Sequence, residues 1–341
     1  MRIVHADDLM RRRYGWHKFS SGRNLLLGAI RNNWRVCEFS DRDTVHFESP
    51  LWIRPLGKWI ANRRLIETCD NFRPDLLTVG HCDVITNHTL REIRALLPGI
   101  KIGCWNLDSL WQERNVERLR HRMTVSDAIF VTTAGARLRQ FCTSRNVVAY
   151  LPNPVDPANE NQDNSRKTNF DRDLVFCSGH PPTDARHAFI GRLHPALDRH
   201  LRFESFGMHG QPAVWGYAYE KVLAGSKMGL NLNQCEDWPL YSSDRIAQLM
   251  GNGLLTFLWD KGQMRRLFRD EHVGFFTDFD DLVRRVLAFQ ADDARRQAVA
   301  GAGRAHYHEH FSGQRVMQFM VETTFGLPYS HNYLWADEVY R

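Results

Sequence analysis

Residues Tyr219–Leu258, YEKVLAGSKMGLNLNQCEDWPLYSSDRIAQLMGNGLLTFL, decide how this chain folds. An apolar run at 228–232 is short enough for a buried strand, and a polar loop rich in Asn and acidic residues follows it. Ser242, Ser243 and Asp244 are residue types that start helices. The helix expected from 243 runs to Gly251, where Gly-Asn-Gly stops it, and a second apolar run at 254–258 reads as another strand. Strand, loop, helix and strand in this order predict a parallel pair joined by a right-handed crossover. Such a loop gathers backbone N–H groups and two hydroxyls at a helix start, a setting that favours an anion such as phosphate.

The same alternation extends in both directions. Upstream, strands are expected at 2–6, 34–39, 75–80, 100–105, 128–132 and 147–151, with helices at 22–33, 56–72, 87–97, 111–122 and 134–142 between them. From 153 to 173 the composition changes to NPVDPANENQDNSRKTNFDRD, polar and proline-punctuated, which predicts a linker. The alternation then restarts with strands at 174–178, 201–206, 228–232 and 254–258 and helices at 184–197, 218–226 and 243–251. Helices at 261–269, 280–290, 293–310 and 313–325 finish the chain. The fold class expected is therefore α/β, with two Rossmann-like domains facing across a cleft. Residues 1–155 form the first, 156–173 the linker and 174–310 the second, while 311–341 supply a C-terminal helix and tail that return to the first.

Composition narrows the function classes. Of 341 residues 43% are apolar and 25% charged, as in globular proteins, and no run approaches the ~18 apolar residues of a membrane helix. The start, MRIVHADDLMRRRYGW, has no apolar segment of the signal-peptide kind, so a cytoplasmic protein is expected. Seven cysteines without CxxC or CxxH spacing predict buried thiols rather than zinc or disulfides. A net charge of +6 favours an anionic partner. The basic residues are scattered and no nucleic-acid-binding signature is present, so nucleic acid is not the expected partner.

The stretches YEKVLAGSKMGLNLN and YSSDRIAQLMGNGLLTF, with CWNLDSL at 104–110, DAIFVTT at 127–133 and YLPNPVD at 150–156, resemble GT-B glycosyltransferases, particularly the bacterial group related to the spore-maturation CgeB proteins. The resemblance implies a metal-independent enzyme of surface polysaccharide or lipopolysaccharide synthesis, with no cofactor beyond its nucleotide-sugar co-substrate. It implies a glycan or lipid-linked acceptor and, with that, peripheral contact with the cytoplasmic face of the inner membrane. Many enzymes of this fold that use UDP- or GDP-sugars hold the donor ribose with a Glu on the helix before the small-residue turn; this chain has Gln248 there, which lacks the charge that strengthens such a bond. His180-Pro181 and Ser242-Ser243 are similar to the HP and SS motifs of sialyl- and Kdo transferases. That likeness places a CMP-activated ulosonic acid slightly ahead of a UDP- or GDP-hexose.

The donor-binding residues expected are Ser178, Gly179, His180, Pro181, Tyr241, Ser242, Ser243, Asp244, Arg245 and Gln248, with His180 also assisting the leaving phosphate. Asp108, just beyond a strand, is the leading candidate for the base that takes the acceptor proton. Asp7, Asp8, His81 and Asp83 occupy comparable strand ends. Trp215, Tyr217 and Tyr219 could stack on a base or sugar, although core packing serves as well. In HYHEH only His306 and His310 share a helix face, and no metal site is expected. An epimerase or hydrolase on the same scaffold, or a sensor that binds without chemistry, are the rival readings.

Overall fold

The computed structural model describes residues 1–16, 20–50, 53–80, 83–179 and 185–341. They form two compact units, Met1–Pro154 with Ser312–Arg341, and Val155–Phe311.

The first unit holds a seven-stranded sheet. Its strands are β1 (Arg2–Asp7), β2 (Arg35–Ser40), β3 (Leu76–Val79), β4 (Lys101–Asn106), β5 (Ala128–Val131), β6 (Val147–Tyr150) and, near the chain end, β12 (Val339–Tyr340). The order is β12-β6-β5-β4-β3-β1-β2, all parallel except β12, which runs antiparallel to β6. Strands covered on both faces are apolar along their whole length, and Leu76–Val79, Ala128–Val131 and Val147–Tyr150 are buried throughout. Around the sheet lie α1 (Ser21–Arg31), α2 (Asp41–Glu48), α3 (Arg54–Phe72), α4 (Asn87–Leu96), α5 (Glu113–Arg122) and, from the far end of the chain, α11 (Gly313–Phe325). Helix α11 packs on α1 because glycines face each other there: a Cβ on Gly28 would collide with the Gly313 carbonyl, and one on Gly313 with the Asn24 carbonyl.

The second unit holds five parallel strands, β7 (Arg172–Cys177), β8 (Phe203–Phe206), β9 (Ser226–Asn231), β10 (Leu255–Trp259) and β11 (Gly274–Phe276), in the order β11-β10-β9-β7-β8. Helices α6 (Ala185–Leu197), α7 (Gly216–Ala224), α8 (Arg245–Gly251), α9 (Phe279–Ala291) and α10 (Asp293–His310) complete it. Its core joins Leu174 and Phe176 of β7, Met228 and Leu230 of β9, and Leu255 and Phe257 of β10 to apolar residues of α6 and α9. Both sheets reverse their winding direction beside their first strand: the chain places one neighbour on one side and then crosses to the other. In such sheets the crevice at the reversal, beyond the strand carboxyl ends, is where ligands bind.

Several expectations need correction. Residues 156–173 are not a linker: Asn164 is fully buried, and its side-chain amide donates to the carbonyls of Leu223 (2.7 Å) and Ser226 (2.8 Å). Polar composition there satisfies the backbone of the second unit instead of solvating a spacer. The helix expected at 134–142 is a 3-10 segment, Ala136–Phe141. That expected at 261–269 shrinks to a 3-10 turn, Met264–Arg266, because Gly262 and Gln263 both take φ of 60°. Helix α2 and strands β11 and β12 were not expected; the two strands are three and two residues long, too short for a period to register.

Candidate functional site

The reversal point of the second sheet lies between β7 and β9. Arg245, the first residue of α8, bridges it: Nε donates to the Cys177 carbonyl at the end of β7 (2.8 Å) and Nη1 to the Leu232 carbonyl just past β9 (2.9 Å). Its guanidinium lies 4.5 Å from the centre of the Phe176 ring. Longer contacts reach Asn231 Oδ1 and Ser243 Oγ, both 3.4 Å away. Every one of these partners is neutral, and among the described residues no carboxylate forms an ion pair with Arg245. Burial draws its pKa below the ordinary arginine value, with Arg186 adding to this and Tyr219, Cys177 and Glu236 opposing it. A partly buried cation whose hydrogen bonds go only to neutral groups is favoured by an anion beside it.

The loop that carries Arg245 is held by amides the sequence reading passed over. Asn231 donates from Nδ2 to Ser242 Oγ (3.1 Å) and accepts at Oδ1 from Ser243 Oγ (3.2 Å). Asn233 accepts at Oδ1 from the Ser243 amide (3.0 Å), while its own side-chain amide donates to Glu236 Oε2 (2.8 Å). Burial raises the Glu236 pKa against the pull of those Asn233 bonds. The N-x-N spacing just after an apolar strand was the signal available for this frame.

Each expected donor residue finds a definite place. Ser242 is buried at 5% exposure, and its hydroxyl serves Asn231 and the Ser243 carbonyl, a loop-holding role. Ser243 is partly exposed beside Arg245. Asp244 occupies the N-cap of α8 without a side-chain capping bond, so the helix starts two residues later than expected, at Arg245. Tyr241 uses its backbone to hold the loop, accepting from Asn233 Nδ2 at 3.3 Å. The Ser178 amide, expected to be open to a nucleotide, instead donates to the Phe206 carbonyl (2.9 Å) because the β7–β8 pairing runs one residue past the strand end. Gly179 is exposed, and a Cβ there would come within 2.6 Å of the Trp215 ring, so glycine lets Trp215 lie against this strand end. Gln248 accepts at Oε1 from the buried Tyr219 hydroxyl (2.7 Å), which leaves its N–H groups for other partners. Tyr219 is thus a positioning residue, whereas Tyr217 is 73% exposed. His180 and Pro181 lie outside the described residues, as does His81.

In the first unit Asp108 follows β4 and pairs with Arg118 of α5 at 2.9 Å, its side chain 35% exposed. It does not cap α5, whose N-cap is Gln112. Asp8 is buried and bound by Arg12 (2.6 Å) and Arg42 (3.2 Å), and Asp83 pairs with Arg42 (3.0 Å). Asp7 is 4% exposed, enclosed by Gly22, Gly80 and Trp105: a Cβ at either glycine would strike its carboxylate. The HYHEH histidines serve packing. His306 bonds the Leu267 carbonyl (2.8 Å), His308 the Gly251 carbonyl (2.8 Å), and burial lowers the His306 pKa to about 4. Among the described residues no group of three or more His, Cys, Asp or Glu is placed to hold a metal ion.

The class defined by the fold is that of two Rossmann-like α/β domains in one chain. Residues 185–322 match the model of a family described as glycosyl transferase-like. No curated protein matches the chain. Among solved structures it is similar to Anabaena HepE in complex with UDP (14% identity, TM-score 0.56, 96% of this chain and 100% of that one). It is also similar to sucrose-phosphate synthase from Thermosynechococcus elongatus (12%, TM-score 0.58, 95% and 98%). A UDP-N-acetylglucosamine 2-epimerase is similar too (11%, TM-score 0.51, 97% and 99%). The fold is that of the GT-B glycosyltransferases.

Proposed function

We propose that this protein is a glycosyltransferase that moves a sugar from a nucleotide donor, a UDP-sugar in the first instance, to a glycan or lipid-linked acceptor. The observation that carries the reading is Arg245, a partly buried guanidinium at the reversal point of the second sheet whose hydrogen-bond partners among the described residues are all neutral. A donor diphosphate would pair with this cation, and Ser243 adds a hydroxyl beside it. Negative charge grows on the leaving phosphate as the glycosidic bond breaks, so a preorganised cation there lowers the barrier as well as holding the donor. Asp108 is the base proposed for the acceptor hydroxyl; its pairing with Arg118 fixes the carboxylate's orientation while leaving part of it accessible. Uridine comes first because the HepE structure contains UDP.

A CMP-activated ulosonic acid is the second reading, favoured by Gln248. With its carbonyl engaged by Tyr219 it presents N–H donors where a ribose-holding Glu would present acceptors. Thermal unfolding with UDP, GDP and CMP separates the two, since a ligand at ~100 times its dissociation constant adds ~2.7 kcal/mol of stability. UDP stabilising most supports the first reading, and CMP the second; no shift with any of the three contradicts both. Incubation with donor alone tests the epimerase or hydrolase rival, because rapid turnover without acceptor contradicts transfer.

A further inference from the structure

The loop from β9 to α8 is held in a conformation it would not take unaided. Leu240 is fully buried with φ of 52°, a left-handed backbone that a bulky side chain disfavours. Contacts on both sides keep it there. The Leu240 N–H donates to the Gly262 carbonyl (2.7 Å), and glycine is required at 262, where a Cβ would stand 2.8 Å from the Trp238 carbonyl and 2.9 Å from that of Glu236. The carbonyl of the next residue, Tyr241, accepts from Asn233 Nδ2 (3.3 Å).

The Asn233 amide can serve this loop in one orientation. Its Oδ1 takes the Ser243 N–H (3.0 Å), while its Nδ2 donates to both the Tyr241 carbonyl and Glu236 Oε2 (2.8 Å). Turned over, it would set N–H against N–H at Ser243 and oxygen against oxygen at Tyr241 and Glu236. Glu236 Oε1 also accepts from the Asn233 backbone N–H (2.5 Å). Both donors of Asn233 thus meet acceptors on Glu236, a pairing that an ionised carboxylate satisfies and an amide or a protonated acid does not. Ser243 in turn donates from Oγ to Asn231 Oδ1 (3.2 Å) and lies 3.4 Å from Arg245 Nη1.

We propose that Glu236 is a positioning residue of the nucleotide site: its carboxylate locks the Asn233 amide, the amide holds the Ser243 N–H and the Tyr241 carbonyl, and the turn at Ser243 sets the place of Arg245. The proposal rests on the reading of Arg245 as the phosphate partner. Both carboxylate oxygens are engaged by Asn233, so Glu236 acts through that residue. Charge alone would have the opposite consequence. Against the burial that lowers the Arg245 pKa, the negative charge of Glu236 works to raise it, and the same charge repels an incoming phosphate. Removing it without disturbing the loop would therefore tighten nucleotide binding.

Hydrogen exchange of the Ser243 amide, measured without nucleotide in the parent and in Glu236→Gln, is the first test. Glutamine keeps the shape of the side chain but opposes one donor of Asn233 with another, and exchange at Ser243 should quicken at least ~10-fold while the core amides of β7 exchange as in the parent. Titration with UDP should show about 10-fold weaker binding in the same variant. Asn233→Asp alone sets two carboxylates against each other and should weaken binding as well. The double variant Asn233→Asp/Glu236→Gln restores the match, since the aspartate accepts from both the Ser243 N–H and the glutamine amide, and should recover most of the lost protection and affinity. Unchanged exchange at Ser243 in Glu236→Gln, tighter UDP binding in that variant, or a double variant no better than Glu236→Gln would each overturn the proposal. Failure of UDP, GDP and CMP to bind the parent would remove the nucleotide reading instead, and the exchange at Ser243 would then decide by itself whether Glu236 sets the loop.

Discussion

The two sheets reverse their winding at the same place, beside the first strand of each, and the two crevices are filled in opposite ways. Between β1 and β3 stands Asp7, shut in by Gly22, Gly80 and Trp105. Close by, Arg12 is held between Asp8 (2.6 Å) and Asp43 (2.7 Å), which raise its pKa. Between β7 and β9 stands Arg245, bound to carbonyls, an amide, a hydroxyl and a phenyl face, with no carboxylate in an ion pair with it among the described residues. Topology offers a crevice in both sheets, but electrostatics decides what each can do. Arg12 is ion-paired from within its own unit, whereas among the described residues Arg245 makes hydrogen bonds to neutral groups and no ion pair.

The comparison can be sharpened by separating chemistry from grip. Asp108→Ala should lower turnover by roughly 10²–10⁴-fold while leaving nucleotide affinity unchanged. Steady-state rates beside calorimetric titration check this, and full turnover would remove Asp108 as the base. Arg12→Met tests the closed network: it leaves Asp43 without its ion pair and Asp8 with Arg42 alone, side chains 3% and 5% exposed, and should cost about 2–3 kcal/mol in urea unfolding with nucleotide affinity intact. The cost sits below that of a fully buried pair because Arg12 keeps some contact with water.

A pH dependence follows from the first sheet as well. Burial lowers the His5 pKa to about 4, so the folded state binds fewer protons than the unfolded one between there and 6.5. Stability present above pH 6.5 is lost as pH falls toward 4, by roughly 3 kcal/mol for this group. Asp41 works in the opposite sense, since burial raises it to about 6 and the folded state gains, relative to the unfolded, as pH falls from 6 toward 3.8. Urea midpoints measured from pH 7 to 4.5 should fall less steeply in His5→Asn than in the parent. The smallest effect expected is that of Tyr219→Phe, about 1 kcal/mol or less of nucleotide affinity, because it only releases the Gln248 carbonyl.

Much of this was legible in the sequence. Buried parallel strands are apolar throughout, so the βα alternation and its restart in the second half could be read directly. The departures have particular causes. Residues 156–173 look like a spacer because Asn164 and Glu160 are polar, yet both are buried, and burial of a hydrogen-bonded amide leaves no trace in composition. Helix propensity continues through 261–269, but two successive residues at φ of 60° break it. At the site the hydroxyls of Ser242 and Ser243 drew attention, since both residue types start helices. Their different fates depend on Asn231 and Asn233, whose side chains act across a loop that has no period. Arg245 was expected as a phosphate partner, but that its hydrogen bonds go to neutral groups is a property of packing alone.

Calorimetric titration of UDP into the parent, Arg245→Met and Arg12→Met tests the central claim most directly. The account predicts about 100-fold weaker binding, ~2.7 kcal/mol, for Arg245→Met and parent-like binding for a folded Arg12→Met. Parent-like affinity in Arg245→Met would contradict it.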